Sequence, residues 1–460
     1  MRRPVLLVAA VVVAVVAVAA LAFTSSPDTA PVRLGHDDVT VLLDRAGTGT
    51  VAAQVEVPAD VASVSLYATM PRMGHMTPEV VAERERPGLF RATGELFAMT
   101  GPWVLTVRAD DEIVTFDITV GCGVVVLPKR QVIGSWLLLT GFCSLWLGVG
   151  WDGQWHVDVG PDTFFTAPHL MFYFGSALIG LTSLAVVLPS RGATAGPGVP
   201  VLGFRAPAAF LVAGLGAAGH LLYGATDLWW HTVYGFDLLD STPSHLSLQL
   251  AMQVQAVAVV MAFAALRDTR SGRWGLAAAG AFGVAAGSIM LDGDAFGVSL
   301  TVLGGSAVAA WTLCAVAGIT RSGWWVAALG LLFVAVHAAT FFFPPFATRW
   351  YSESIGQPLR DNALGVPLLA LAMPLVFPLA AVVGAAAVAF ARRRGISPNV
   401  AMAVLGAVIG LTVVISQLLL DEVGTNPLLA ALLVTALGAV AGRFGWQSAA
   451  LMRRLAPREA

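Results

Sequence analysis

Two stretches of the chain carry carboxylate and imidazole side chains at nearly the same spacing. The first group is Asp152, His156 and His169, and the second group is Asp227, His231 and His245. In each group an Asp precedes a His by four residues, and a further His follows later in the chain. Carboxylate oxygen and imidazole nitrogen together suit copper, zinc or iron. The spacing therefore predicts two metal sites of similar design.

The residues around the two groups also repeat. Gly160, Asp162 and Pro168 recur in order as Gly235, Asp237 and Pro243. The matching positions are 75 residues apart, except that the last His is displaced by 76 because Ser244 is inserted. We therefore predict an internal repeat of 75 residues, with duplicated hairpins over 145–190 and 220–266.

Helical geometry explains how each group could assemble. Residues four apart lie on one face of a helix, and the last His would enter at the start of the next helix. In the second copy His220 lies on the same stripe and could be a fourth ligand, whereas the first copy has Leu145 there. The second group is thus predicted to be the better metal site. The alternative is structural, with each Asp accepting from an imidazole to fix a repeated hairpin.

A third candidate site lies nearer the N-terminus. Its candidate ligands fall within seven residues and are Met70, Met73, His75 and Met76. Thioether sulfur together with imidazole is a ligand set that selects Cu(I). The alternative is that these methionines close one end of a β domain.

Composition indicates a membrane protein. The chain is 57% hydrophobic and 12% charged, with a mean hydropathy of +0.78. Membrane lipid is therefore its predicted surrounding. A net charge of −2 gives no basic field for nucleic acid, and no phosphate-binding loop motif is found in the sequence, so neither nucleic acid nor nucleotide is a predicted partner.

The chain divides into segments of different composition. Residues 1–23 are predicted to be a signal peptide or anchor, 30–120 a β-sandwich, 131–443 a transmembrane helical domain and 444–460 a tail. Alternating apolar residues with Gly, Pro and Asp between them favour the sandwich. Ten apolar runs are long enough to span a bilayer: 131–150, 169–188, 206–226, 245–266, 274–291, 297–319, 324–343, 365–391, 398–420 and 426–442.

The distribution of basic residues predicts an orientation. Most of the basic residues between the runs fall on one side, and only Arg349 and Arg360 fall on the other. The positive-inside rule places both Asp/His groups outside, in a multi-pass protein of the plasma membrane. An extracytoplasmic β domain would require one more crossing before Lys129, and 118–127 is too short to provide it. The membrane face of the groups therefore stays open.

The β segment resembles a known family. The string from Met70 to Met76, then Gly88-Leu-Phe-Arg-Ala, then Met99-Thr-Gly-Pro-Trp103, is similar to the YtkA-like domain, related to the FixH family. Those extracytoplasmic β domains are linked to copper handling, and the resemblance covers about residues 36–118. It implies an Ig-like sandwich with Met73, His75 and Met76 as leading ligands. Met70, Met99 and His36 are implied as additional ones.

The first group also resembles a known metal site. Asp152, His156 and His169 have a spacing similar to that of the metal site in the membrane C-type subunit of particulate methane and ammonia monooxygenases. The likeness rests on three residues, and the number of spans differs from that of the subunit.

Three functions follow from these patterns. The first is copper binding and its transfer or insertion into a cuproprotein partner, with zinc or iron as other candidates for the Asp/His groups. The second is a copper-dependent membrane monooxygenase, and the third is a structural or assembly protein without metal. Whether the chain is an enzyme stays open.

Overall fold

A computed structural model describes most of the chain. The described residues are 32–36, 38–44, 46–71, 73–99, 101–120, 129–160, 163–189, 199–201, 204–235, 242–289, 293–363, 365–418 and 424–455. The predicted signal peptide or anchor, together with Asp162 and Asp237, lies outside them. The chain forms two compact units, one built of strands and one of helices, and each is described by itself.

The N-terminal unit contains two antiparallel sheets. Its strands are β1 Val32–His36, β2 Val39–Leu43, β3 Gly49–Glu56, β4 Val64–Met70, β5 His75–Met76, β6 Val80–Val81, β7 Glu83–Arg86, β8 Leu89–Phe97, β9 Gly101–Ala109 and β10 Glu112–Val120. One sheet has the order β1-β2-β3-β8-β7, and the other has the order β10-β9-β4-β5, with β6 also paired to β4. The predicted β domain is confirmed at this level, and an Ig-like arrangement stays a prediction.

Alternation along the strands builds the core of this unit. In β4, every second residue from Val64 to Met70 is buried, because successive side chains point to opposite faces of a sheet. Residues from both sheets join one apolar cluster that includes Phe90 and Trp103. The ring nitrogen of Trp103 donates to the backbone oxygen of Met99 at 2.8 Å, so the buried indole is satisfied.

The turn between β9 and β10 is held by a carboxylate. Asp110 Oδ2 accepts from the backbone N–H of Ala62 at 2.9 Å, and Oδ1 accepts from the backbone N–H of Ser63 at 2.8 Å and from its hydroxyl at 2.9 Å. These bonds, led by the one from Ala62, lower the pKa of Asp110 from its ordinary 3.8. The carboxylate therefore stabilises this unit only while it is ionised.

This hydrogen bonding predicts acid sensitivity of the β unit. A depressed folded-state pKa gives stability that is present above pH 3.8 and is lost as the pH falls further, through the folded value. Calorimetry of the full chain in detergent should show the β transition losing stability below that pH. Asp110→Asn should weaken the unit at neutral pH and reduce its acid response, whereas the adjacent Asp111→Asn should behave as wild type.

The second unit is a helical bundle. Its helices are α1 Lys129–Asp158, α2 Ala167–Val187, α3 Ala208–Tyr234, α4 Pro243–Ala265, α5 Arg270–Ala286, α6 Leu300–Thr320, α7 Gly323–Ile355, α8 Leu368–Ala372, α9 Phe377–Arg393, α10 Pro398–Leu418 and α11 Pro427–Leu455. Short hairpins are formed by β11 Val199–Val201 with β12 Phe204–Ala206, and by β13 Asp294–Ala295 with β14 Val298–Ser299.

Nine helical segments of the described chain are long and apolar enough to cross a bilayer, with α8 and α9 counted as one. They fit a multi-pass membrane protein. The predicted run 274–291 corresponds to α5, which has 17 residues and continues into a 3-10 turn at Gly287–Ile289. A tenth crossing therefore stays a prediction.

Several predicted boundaries are wrong. The loop predicted after residue 343 is helical up to Ile355, because α7 continues through Pro344 and Pro345. The predicted tail is helical up to Leu455. The predicted run 365–391 is interrupted between α8 and α9, where Pro374 lies, and proline cannot donate the next helical hydrogen bond.

Helices α1 to α4 run alternately up and down. Close contacts join Gly148 of α1 to Phe172 of α2, and Gly134 to Val186, so these two helices are antiparallel. In the same way, the hydroxyl of Ser176 in α2 contacts His220 of α3, and Gly219 of α3 faces Ala251 of α4. The ends of α1 and α3 and the starts of α2 and α4 therefore lie at one end of the bundle.

Candidate metal centre

The first group is held by the hairpin of α1 and α2. Asp152 and His156 lie in the last two turns of α1, and His169 lies in the first turn of α2, which begins after Thr166 with Pro168 at its start. A Cβ on Gly148 would lie 2.6 Å from the backbone nitrogen of Phe172, so only glycine permits this approach of the two helices. The close approach brings His169 to the end of α1.

The donor atoms of the first group converge. Asp152 Oδ1 lies 3.0 Å from Nε2 of His169 and 3.7 Å from Nε2 of His156. One potential ligand atom from each residue lies within 4.8 Å of the others. The side chains of Asp152 and His169 are partly buried, whereas that of His156 is 41% exposed. The convergence predicted for Asp152, His156 and His169 is therefore present.

Hydrogen bonding fixes which nitrogen of His169 faces the carboxylate. Nδ1 of His169 lies 3.1 Å from the backbone oxygen of Thr163. A carbonyl oxygen only accepts, so Nδ1 carries a proton, and Nε2 faces Asp152 with a lone pair in the neutral ring or with an N–H in the charged ring. Asp152 Oδ1 is buried and accepts no hydrogen bond among the described residues. A bound cation or a second ring proton would therefore satisfy both Nε2 of His169 and the carboxylate.

The second group forms a related cluster between α3 and α4, in which the two imidazoles face different oxygens of the carboxylate. Asp227 Oδ2 lies 3.4 Å from Nε2 of His231, and Oδ1 lies 3.6 Å from Nε2 of His245. Nδ1 of His231 lies 3.1 Å from the backbone oxygen of Gly235, so this ring too turns Nε2 towards the carboxylate. Asp227 Oδ1 is also buried and accepts no hydrogen bond in the described part of the chain. The potential ligand atoms of this group also lie within 4.8 Å of one another.

Metal-binding histidines commonly donate their second ring nitrogen to a backbone carbonyl, which orients the ring. His169 and His231 both do so, from different positions in their hairpins. The donor set of each group therefore fits a borderline metal ion, with three protein ligands.

His220 does not belong to the second group. Its Nδ1 lies 3.1 Å from the hydroxyl of Ser176, and its ring packs against Phe172 and Tyr173 with centroids 5.9 and 6.0 Å away. The prediction of a fourth ligand is wrong because His220 lies two helical turns before Asp227 and faces α2. Without His220, each group has three candidate ligands, and ligand number no longer makes the second group the better metal site.

The sequence did not reveal how the end of α1 is anchored. Asp158 is buried, and its carboxylate accepts from Gln154 at 2.7 Å and from the backbone nitrogen of Gly365 at 3.4 Å. Arg360 donates its backbone N–H to the Asp158 carbonyl at 2.8 Å and its Nε–H to the Val159 carbonyl at 3.1 Å. The loop after α7 therefore fastens the helix that carries Asp152 and His156.

The extended α7 also contacts this end of α1. Tyr351 lies beside Trp155 and Trp151, with ring centroids 5.0 and 5.8 Å away. A helix ending at residue 343 could not supply these contacts. The only sequence signal was the polar string around Arg349, which resembles an exposed loop.

The candidate ligands of the β unit lie at the turn between β4 and β5. Met70 is opposite His75 in the strand pairing, and Thr69 is opposite Met76. Residues that pair directly share a face and neighbours alternate, so His75 shares a face with Met70 and not with Met76. Met70 is buried in the core, whereas Met73 and Met76 are 67% and 64% exposed. The ring of His75 contacts Trp103 edge-on with centroids 5.9 Å apart.

The two further residues that the resemblance implies, Met99 and His36, lie outside the β4–β5 turn. Met99 is partly buried and packs on the β core, and His36 lies at the end of β1 in the other sheet. The four predicted thioether and imidazole ligands therefore divide between two faces of a short hairpin.

No protein-family model and no curated protein sequence matches the chain. The resemblances to the YtkA-like domain and to the monooxygenase C-type subunit therefore stay predictions.

Proposed function

We propose that the chain is a membrane metal-handling protein that binds copper at both Asp/His groups and passes it to a cuproprotein partner. The observation that carries this proposal is that each group turns one carbonyl-oriented imidazole, His169 in the first and His231 in the second, with its other ring nitrogen towards an Asp carboxylate that has one buried oxygen. Both groups lie at one end of the bundle, as acceptor sites for one delivery route would.

Copper is favoured by the two kinds of ligand in the chain. Imidazole with carboxylate suits Cu(II), zinc or iron, and thioether with imidazole selects Cu(I). Copper is the metal among these that both ligand sets would bind, in different oxidation states.

Metal content tests this function directly. After loading with Cu(II) and removal of unbound ion, we expect His156→Ala with His169→Ala to lose one equivalent relative to wild type. We expect the same loss for His231→Ala with His245→Ala, and the loss of both equivalents when the pairs are combined. Elemental analysis of the purified full chain provides the count. Unchanged stoichiometry in the combined variant would reject the bundle sites.

Cu(I) affinity tests the β unit separately. Met73→Leu with His75→Ala should weaken Cu(I) binding by about tenfold or more, equivalent to about 1.4 kcal/mol, because a soft ligand and an imidazole are both removed. Competition with a chromophoric Cu(I) chelator measures the affinity. Met76→Leu is the matched control, since Met76 lies on the other face of β5. An equal loss in the control would contradict this choice of ligands.

A copper-dependent enzyme is a second candidate. Three protein ligands leave coordination positions open, as catalytic metal sites do, and aromatic rings surround His169, with Phe172 at 5.3 Å. Oxygen consumption by the copper-loaded protein with an apolar substrate would favour this function over transfer.

A further inference from the structure

The membrane span that begins at Leu368 is interrupted inside the bundle. Helix α8 ends at Ala372 and α9 begins at Phe377, and Pro374 lies between them. Irregular backbone at membrane depth is stable only where its polar groups find partners in the protein or line a cavity. The interruption therefore needs dedicated hydrogen bonds.

Side chains of α7 and α10 provide these bonds. His337 Nε2 lies 3.1 Å from the Ala370 carbonyl, Gln417 donates to the Ala372 carbonyl at 2.8 Å, and the Val376 N–H donates to the Ser416 hydroxyl at 3.0 Å. Polar residues within membrane helices are costly and mark functional positions. The interruption is thus a built feature of the bundle.

A cavity lies against this interruption. It has a volume of about 140 Å³ and is lined by Phe333, Val334, His337, Leu375 and Pro378. Val334 and Leu375 are 48% and 41% exposed on the bundle surface, so the cavity opens towards the bilayer. An apolar cavity of about 150 Å³ in another protein binds benzene. The volume therefore accommodates one aromatic ring.

His337 is the polar side chain among the residues that line the cavity, and its tautomer is fixed. Because the Ala370 carbonyl only accepts, Nε2 carries the proton, and Nδ1 of the neutral ring is an acceptor. A ligand that completes the hydrogen bonding of His337 must donate. An aromatic hydroxyl combines this donor with a ring of the required size.

We propose that this cavity binds a lipid-soluble phenol, whose ring occupies the apolar space beside Phe333 and whose hydroxyl donates to Nδ1 of His337. The ligand enters from the bilayer between Val334 and Leu375. This site is independent of the two Asp/His groups.

Photolabelling of the full chain in phosphatidylcholine nanodiscs tests the proposal. The probe is a phenol bearing a diazirine, and its partner probe has methyl in place of the hydroxyl. We expect the phenol to label peptides containing 333–337 and 375–378, about fivefold more than the methyl probe, which is the contribution of one hydrogen bond. Equal labelling by both probes would overturn the proposal.

Variants separate the cavity from a general lipid-facing groove. Val334→Trp fills the cavity and keeps the His337 to Ala370 bond, so it should abolish labelling. His337→Leu should reduce phenol labelling to the level of the methyl probe. Leu331→Trp, one turn earlier on the exposed side of α7, should label as wild type. Labelling retained in Val334→Trp would overturn the proposal, whatever His337→Leu does.

Discussion

Cu(II) should raise the unfolding temperature of the wild-type protein and should leave that of Asp152→Asn with Asp227→Asn unchanged. Both replaced carboxylates have a buried Oδ1 within 4 Å of a ring nitrogen. A ligand that binds only the folded state stabilises it by about 2.7 kcal/mol when its concentration is a hundred times its Kd. Thermal unfolding in detergent, with copper or with a chelator, measures this shift.

Asparagine preserves the shape of the side chain and removes its charge, so the comparison isolates the carboxylate ligand. The control is Asp361→Asn, an exposed acid of the loop after α7 that belongs to neither group. It should retain the full copper shift. If the carboxylates are purely structural, the double variant loses stability in chelator and copper shifts neither protein, an outcome that contradicts the metal sites.

Gly406→Leu should prevent α10 and α11 from packing. A Cβ on Gly406 would lie 2.1 Å from the Gly438 carbonyl oxygen, and one on Gly438 would lie 2.4 Å from the Gly406 oxygen. Small residues at such crossings allow membrane helices to approach closely. Overpacking commonly costs about 1–3 kcal/mol, and a clash with backbone should reach or exceed the upper value.

Size-exclusion chromatography after detergent extraction, followed by thermal unfolding, should show loss of the folded monodisperse protein for Gly406→Leu. Gly406→Ala should be intermediate. Val404→Leu is the matched control, because Val404 is on the same helix and 59% exposed. Wild-type behaviour of Gly406→Leu would show that the two helices can separate without loss of the fold.

Much of the fold could be predicted from local patterns. Alternation in segments such as Val64–Met70 indicated the strands, and uninterrupted apolar runs indicated the helices. The positions of interruptions could not be predicted in the same way. Pro344 and Pro345 lie inside α7, whereas Pro374 lies at a break. The difference depends on distant partners such as Ser416 and Gln417, which do not follow from the local sequence.

In the candidate site, too, some features follow from the local sequence and others depend on residues far away in the chain. The spacing of Asp152 to His156 and of Asp227 to His231 placed each pair on one helical face, and that part follows from helix geometry. His220 shares the stripe but turns towards Ser176, because the hydroxyl of a neighbouring helix offers a buried partner. The anchoring of Asp158 could not be predicted either, because its partners Gly365 and Arg360 are about two hundred residues away in sequence.

The anchor on Asp158 gives the two groups different mechanical surroundings. Helix α1 packs against α2, α4, α5, α7 and α8, while α3 packs mainly against α2 and α4 at the edge of the bundle. Opening the first group would disturb many neighbours, and opening the second would disturb few. A bound ion should therefore have a long residence time in the first group and a short one in the second, so that one retains its ion while the other turns it over.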